Sequence, residues 1–335
     1  MRRLHRSERF VTRRFRFDMA ISEFDIIERF FRRPGPSRDG VVLGIGDDAA
    51  LLRVPADREL AVAVDTLVAG RHFPPATAPF DIGYKALAVN LSDLAAMGAE
   101  PAWATLSLTV PEADPSWLRS FADGFFSLAD RYAVQLVGGD TTRGPLSVTV
   151  QVHGLVQCGG ALRRDGARAG HRLYVTGTLG DAACALKQLQ GGGAADPLLL
   201  QRLNRPEPRV AFGAALKGIA SAAIDVSDGL LADLEHILMA SDCGAMLWVD
   251  RLPRSRQLDA YPADELLVSQ LTGGDDYELC FCVEPAKIAA LQAVARDCRL
   301  AVSEVGIIER EPGVRCRHDD GSGYEPHQRG FDHFA

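Results

Sequence analysis

A chain of 335 residues, 47% hydrophobic and 24% charged, lies in the ordinary globular range, which excludes a disordered or collagen-like protein. Its formal charge of -7 argues against a nucleic-acid partner held on a basic face, so a polyphosphate ligand would have to arrive with metal ions. No run of about 18 apolar residues is present to span a membrane, and because single cores stop growing near about 250–300 residues, two domains meeting near the middle are expected.

Two skews sharpen this reading. The acids are 29 Asp against 15 Glu, and the Asp residues gather beside glycines; the bases are 33 Arg against 4 Lys, a bias read as genome composition that leaves few lysines for phosphate chemistry. Seven cysteines, at 158, 184, 243, 280, 282, 298 and 316, form no CxxC pair, which argues against a disulfide scaffold or a structural zinc site and for a reducing cytoplasm. Cys280 and Cys282 share one face of an expected strand and read as core fillers.

Residues 1–16 carry seven arginines and one acid with no apolar stretch behind them, so they are not a secretory signal. A cleaner amphipathic pattern begins at Met19 with Ile21, Phe24, Ile26, Ile27, Phe30 and Phe31, and residues 1–18 are expected to be a non-native or disordered extension. Apolar strands follow at 41–45 and 60–64, each running into aspartates. A helix is expected over 79–97, where Ala86, Val89, Asn90, Asp93 and Met97 recur at three or four residues, so that Asn90 and Asp93 share a face. A strand at 103–110, a helix at 116–132, a strand at 134–137 ending in Gly138-Gly139-Asp140, and an alternating strand at 146–156 complete a ββαβαββ-type first half.

The second half is also α/β. Strands are expected at 173–176, 222–226, 245–249, 277–283 and 301–307, and helices at 180–190, 207–219, from 229 through 239, and at 285–295, with a glycine-rich surface loop at 191–193. The expected domains are 19–158 and 159–335.

Six acidic motifs carry the chemistry: Gly46-Asp47-Asp48, Asp65-Thr66, Asn90-Leu91-Ser92-Asp93, Gly139-Asp140-Thr141, Asp225-Val226-Ser227-Asp228-Gly229 and Gly274-Asp275-Asp276. Any one alone is an ordinary turn or helix cap. Six at the ends of α/β elements, all built on Asp, point instead to a site for hard cations, because Mg²⁺ takes oxygen ligands, usually one or two carboxylates together with phosphate oxygens. Carboxylates facing one cleft repel each other without metals; with them they can receive a nucleoside triphosphate. The G-x-x-x-x-G-K-[ST] and strand-G-x-G-x-x-G-helix cradles are absent, as is G-x-S-x-G, which leaves no ground for a P-loop enzyme, a Rossmann dehydrogenase or a serine hydrolase.

The stretches GIGDDAALL (44–52), VDTLVAGRHF (64–73), YKALAVNLSDLAAMGAEPAW (84–103), GGDTTRGPLS (138–147), IDVSDGLLADL (224–234), TGGDDYELCF (272–281) and GFDHF (330–334) resemble the thiamine-monophosphate kinase family, within the wider aminoimidazole ribonucleotide synthetase-like superfamily, in order and spacing from Met19 to the end. The resemblance implies a two-domain α/β (α+β) subunit that dimerises through its amino-terminal strands and uses ATP to phosphorylate thiamine monophosphate, with several Mg ions as cofactors. It implies metal-binding roles for Asp48, Asp65, Asp93, Asp140, Asp225 and Asp228, with Asp140 and Asp228 assigned to catalysis. It also implies nucleotide contacts by Gly139, Asp140, Arg164 and Ser227, and a thiamine-side subsite at His72, Asp275 and Phe331. Two positions depart from the pattern: Ala63 and Val64 offer no hydroxyl before Asp65, and Asp275 stands where related enzymes often carry Glu.

The acceptor is itself a phosphate with a second pKa near 6, so it is anionic at neutral pH and needs no general base. The expected mechanism is direct transfer of the γ-phosphoryl group. The rivals are a superfamily ligase that activates a carbonyl with ATP, against which GFDHF and the 225–228 block argue; a selenophosphate synthetase, which would carry a reactive Cys near its start, whereas the first here is Cys158; and a metal and nucleotide binding protein without turnover.

Overall fold

In the computed structural model of the chain, the described residues are 22–33 and 38–326. The expectations for residues 1–18, Met19, Ile21, Phe331 and the terminal GFDHF lie outside them. Thirteen strands and nine α-helices follow one another among the described residues.

The first half opens with the short helix α1 (Glu23–Ile26), whose Ser22 and Asp25 form a capping box, and a π-helical turn, Ile27–Phe31, that buries Phe30 and Phe31. A small hairpin, β1 (Val41–Leu43) and β2 (Leu51–Leu52), precedes a four-stranded sheet. That sheet holds β3 (Arg58–Val68), β4 (Glu100–Val110), β5 (Gln135–Arg143) and β6 (Ser147–Gln157) in the order β3-β6-β4-β5, with only β4 and β5 parallel. Helices α2 (Pro79–Ala96) and α3 (Pro115–Arg131), each begun by a proline in its first turn, pack on each other. The ββαβαββ expectation therefore gains one strand, the two-residue β2, too short to carry a pattern of its own.

The strands also run further than their apolar stretches. Asp65 lies inside β3 and Asp140 inside β5, not at the strand ends where they were expected. The ladder with β6 carries β3 past Asp65 to Val68, since backbone pairing does not depend on the polarity of side chains. Gly139 lets β5 continue: its φ is +151° and a Cβ there would stand 1.8 Å from the carbonyl oxygen of Leu106.

The second half is a seven-stranded sheet of β7 (Arg172–Thr176), β8 (Ala220–Val226), β9 (Gly244–Trp248), β10 (Glu278–Val283), β11 (Val302–Glu309), β12 (Gly313–Arg317) and β13 (Gly323–Tyr324), in the order β13-β12-β9-β11-β7-β10-β8. Its helices are α4 (Asp181–Gln190), α5 (Pro197–Asn204), α6 (Val210–Ala215), α7 (Leu230–Ser241), α8 (Ala263–Thr272) and α9 (Ile288–Asp297). The expected helix over 207–219 is the six-residue α6, while α5, α8, β12 and β13 had no counterpart in the sequence reading. Strand β10 is buried throughout: Leu279, Phe281 and Val283 join one apolar cluster, and Cys280 and Cys282 fill another, as core residues do.

The larger cluster contains Leu87, Leu94 and Phe125 from the first half together with Tyr174, Phe212 and Phe281 from the second, so the halves share a core. Helix α2 lies at that seam, packed against α3, β3, β6, α6 and β8. A helix enclosed on so many sides must find a partner for each polar side chain it buries. Lys85, Asn90 and Ser92 are those side chains, and each points to an element of the acidic motifs.

Candidate active site

Three segments converge on the buried end of the site. From α2, the Ser92 hydroxyl donates a 2.7 Å hydrogen bond to Asp225 Oδ2 at the end of β8, and Asn90 Oδ1 accepts the backbone N–H of Asp65 at 3.1 Å. Asn90 Nδ2 in turn donates to the carbonyl of Ala86, which fixes the amide's orientation. The turn after β8 is held by Asp233 in the first turn of α7: its Oδ2 accepts the N–H groups of Ser227 at 2.9 Å and Asp228 at 3.1 Å. An acid in that position is favoured by the helix dipole. The 225–228 block is also laced to the next motif, because Ser227 O accepts from Asp275 N and Val226 O from Tyr277 N.

These carboxylates press on one another. Burial pushes the pKa of Asp65 up, and Asp228 adds to the rise. Asp93 and Asp225 are both raised, first by burial and then by the like charge of neighbours, Asp225 and Asp65 acting on Asp93, and Asp65 acting on Asp225. The Ser92 hydrogen bond and Arg164 pull Asp225 back part of the way, and Arg164 also lowers Asp93. Asp233 is pushed up to about 8 by burial, with Asp225 and Asp228 adding to it. The structure thus brings together Asp65, Asp93, Asp225 and Asp228 from the expected set, with Arg164 acting on Asp93 and Asp225 from its exposed loop.

Asp48 and Asp140 are exposed. Asp48 lies in a bend after Gly46, its N–H bonded to Asp47 Oδ1, and Asp140 extends from β5 beside Gly139. Nothing in the described contacts joins either to the buried group.

Two of the residues expected on the thiamine side, His72 and Asp275, lie in a second cluster. Asp275 has φ +70° and Tyr277 φ +51°, left-handed conformations uncommon for residues other than glycine. The Tyr277 hydroxyl donates to Asp275 Oδ1 at 3.2 Å, and Lys85 Nζ stands 2.9 Å from the same oxygen. Lys85 also donates to the carbonyl of His72 at 3.3 Å, while His72 Nδ1 accepts the N–H of Val68. His72 and Asp275 are therefore brought to one place, through a lysine the sequence reading did not assign.

Behind this loop lies a charge network. Glu278 is fully buried and accepts from Arg202, Arg209 and the Thr176 hydroxyl. Burial alone would raise its pKa, but the two guanidinium groups and Thr176 outweigh it and hold the carboxyl below its ordinary value. Gly177, at φ +57°, leaves the room the carboxylate needs, since a Cβ there would fall 2.1 Å from Glu278 Oε1. Next to it the buried Asp276 accepts the N–H of Gly180 at the start of α4, and burial pushes its pKa well up.

Sequence reasoning missed Ser92, Asp233, Lys85 and Tyr277. Ser92 stood inside a noted motif without a role, and Asp233 looks like any first-turn acid. The scarcity of lysine was the available signal for Lys85.

An oxygen-only, like-charged donor set fits a hard divalent cation. Among the described residues no three His, Cys, Asp or Glu side chains converge to hold a metal by themselves. The fit is to a cation such as Mg²⁺, which takes one or two carboxylates and completes its shell with phosphate oxygens and water.

A two-domain α/β subunit with aspartates gathered at the seam defines a class of phosphate-handling enzyme. Residues 46–156 match the AIR synthase related protein, N-terminal domain, and residues 168–319 its C-terminal domain. The chain is 48% identical over 323 residues to the thiamine-monophosphate kinase of Escherichia coli strain K12, covering 95% of this chain and 99% of the relative. It is similar to the crystal structure of thiamine-monophosphate kinase from Stenotrophomonas maltophilia K279a, at 50% identity and TM-score 0.80 over 86% of this chain and 93% of that one. The structure of AaThiL complexed with AMPPCP and TMP is similar at 30% identity and TM-score 0.74, over 84% and 89% of the two chains. The chain belongs to the thiamine-monophosphate kinase family, and it is a kinase.

Proposed function

We propose that the chain transfers the γ-phosphoryl group of ATP to thiamine monophosphate, giving thiamine diphosphate and ADP. The relative bound to AMPPCP and TMP supports the two substrates, AMPPCP being an ATP analogue with a carbon bridge between its last two phosphates. The observation that carries the chemistry is the cluster of Asp65, Asp93, Asp225 and Asp228, whose mutual repulsion a polyphosphate arriving with divalent cations would relieve.

In this reading Asp65, Asp93, Asp225 and Asp228, with Asp48 and Asp140 from the exposed rim, would hold several Mg ions, whose bound charge would neutralise that of the phosphates. Gly139, Asp140, Arg164 and Ser227 border the nucleotide: Gly139 presents bare backbone, and Arg164 offers a guanidinium fork that suits phosphate. His72 and Asp275, with Phe331, border the acceptor. An acceptor phosphate oxygen attacks the γ-phosphorus in line, and the bond to the β–γ bridging oxygen breaks with its electrons leaving on ADP. The acceptor arrives anionic, so the residues' task is to orient two anions, with Asp140 and Asp228 assigned to catalysis.

The domain division at 158/159, a homodimer and a cytoplasmic location belong to the same proposal. Strand β6 ends at Gln157 and β7 begins at Arg172, which supports the division. The edge strand β3 exposes Leu60, Val62, Val64 and Val68 at alternate positions, an apolar row of the kind that another copy of the chain covers. Seven free thiols accord with a reducing compartment, and no helix among the described residues is long and apolar enough to cross a membrane.

The test is ADP and thiamine diphosphate formation by purified protein with ATP, Mg²⁺ and thiamine monophosphate, alongside free thiamine and an Asp140→Asn control. Stoichiometric product from the monophosphate alone, abolished by EDTA and by the substitution, is expected. ADP without thiamine diphosphate, or a trapped phospho-enzyme on the pathway, would overturn the reading.

A further inference from the structure

Lys85 is one of four lysines in a chain with 33 arginines, and only 3% of its side chain is exposed. A buried ammonium needs full compensation, and here it comes from two points on different halves: Asp275 Oδ1 at 2.9 Å and the carbonyl of His72 at 3.3 Å. Asp275 is held in a left-handed conformation that a non-glycine residue keeps only where its surroundings impose it. Three bonds impose it: the backbone bond to Ser227, the Tyr277 hydroxyl on Oδ1, and Lys85 on the same oxygen. Of these, only Lys85 comes from the other half of the chain. Helix α2 supplies a fixed mount, since the same helix anchors Asp65 through Asn90 and Asp225 through Ser92. A compact point charge suits a slot between one carboxylate oxygen and one carbonyl, whereas an arginine would bring a planar fork with more donors than the slot has acceptors.

We propose that Lys85 is a positioning residue for the acceptor: its ammonium clamps Asp275 to the 68–73 turn and so sets the two walls between which thiamine monophosphate binds. The inference rests on the reading of His72 and Asp275 as acceptor-side residues. Lys85 acts through them and does not itself touch the substrate.

The test uses the full chain with Lys85→Met, Lys85→Arg, Asp275→Asn and the double variant Lys85→Met/Asp275→Asn. Thiamine monophosphate binding is measured by calorimetry and KM by steady-state kinetics. Lys85→Met is expected to weaken thiamine monophosphate binding and raise its KM by about tenfold or more, as a displacement of about 1 Å far from the chemistry can, while KM for ATP changes less than about twofold. Lys85→Arg, which keeps the charge with a different shape, is expected to fall between Lys85→Met and the wild type. The double variant is expected to bind the acceptor no more weakly than the worse single variant, because the two substitutions break one clamp; it also removes both charges together, which keeps the test open if Lys85→Met alone does not fold. Equal losses for both substrates, additive losses in the double variant, or acceptor binding unchanged in Lys85→Met would overturn the proposal while leaving the kinase reading intact. Wild-type protein that binds no thiamine monophosphate would overturn the acceptor reading and this proposal with it.

Discussion

Two buried acids, Asp225 and Glu278, lie one step apart on the paired strands β8 and β10, where Asp225 faces Leu279 and Val226 faces Glu278. Around Glu278 the chain supplies its own countercharge, with Arg202 and Arg209 converging on one carboxylate and holding its pKa down. Around Asp225 it supplies a serine and more aspartates, and the pKa values of Asp65, Asp93, Asp225 and Asp233 all rise. Burying a charge is costly, and for Glu278 that cost is met within the fold by two guanidinium groups, whereas Asp225 meets a serine and other aspartates. Countercharge within hydrogen-bond reach, and not burial alone, distinguishes Glu278 from the aspartates around Asp225.

The largest effect should come from removing a charge from the aspartates around Asp225. Asp93→Asn is expected to lower turnover by about a thousandfold or more, the scale on which removed electrostatic elements act. Without divalent cations it should raise unfolding stability by about 1 kcal/mol, the usual gain when a strained functional group is relieved. The sign with pH follows from the raised pKa. Well below pH 4 the carboxyl is protonated in both the folded and the unfolded chain and the gain is absent; it grows as pH rises through the ordinary value of 3.8, where the unfolded chain ionises before the folded one. Urea melts at several pH values would check it, and a loss of stability in Asp93→Asn at pH 8 would show that Asp93 is compensated within the fold as Glu278 is.

Glu278→Gln should do the opposite, costing about 3 kcal/mol at pH 7 because two partly buried guanidinium groups lose the fully buried carboxylate they share. Its folded pKa is depressed, so the wild-type advantage is complete above the ordinary value of 4.5 and is lost as pH falls through the lower folded value. Thermal melts of both proteins from pH 7 to pH 3 should converge at the acid end.

Adding Mg²⁺ should stabilise the wild type by about 1–3 kcal/mol at concentrations well above the dissociation constant, and Glu278→Gln by the same increment. The increment should shrink in Asp225→Asn, where one candidate ligand is gone. Equal increments in all three would place the cation elsewhere. Ser92→Ala is expected to cost about 1–2 kcal/mol of stability, read from urea melts, since Asp225 keeps its burial but loses one donor.

The helices and strands that position the site were legible where one face repeats: the helix expected over 79–97 is α2, Pro79–Ala96, and the strand expected over 146–156 is β6, Ser147–Gln157. Strand ends were not, because Gly138, Gly139 and Asp140 look like a turn until β4 pairs with them through Asp140 and beyond. Helix α5 escaped because its buried apolar residues, Leu199 and Leu203, face a small satellite cluster, and α8 because it divides its few between two cores, Leu266 in the satellite and Leu271 in the core of the second half. Of the site, the aspartates could be named one by one from their glycines. Which of them meet could not, and Asp233 and Ser92 escaped because a first-turn acid and a helix serine look alike whether or not they face a carboxylate.

By itself the sequence determined the inventory and its order: six Asp motifs, an acidic total, thiols without pairs, and the run of stretches shared with one family, all properties read along the chain. Only the tertiary structure decided that Asp65, Asp93, Asp225 and Asp228 repel one another while Glu278 does not stand alone, and that Lys85 reaches Asp275. Those facts depend on burial and on distances of a few ångströms between residues far apart in the chain. Both are set when α2 is enclosed between the two halves, and no local pattern carries them.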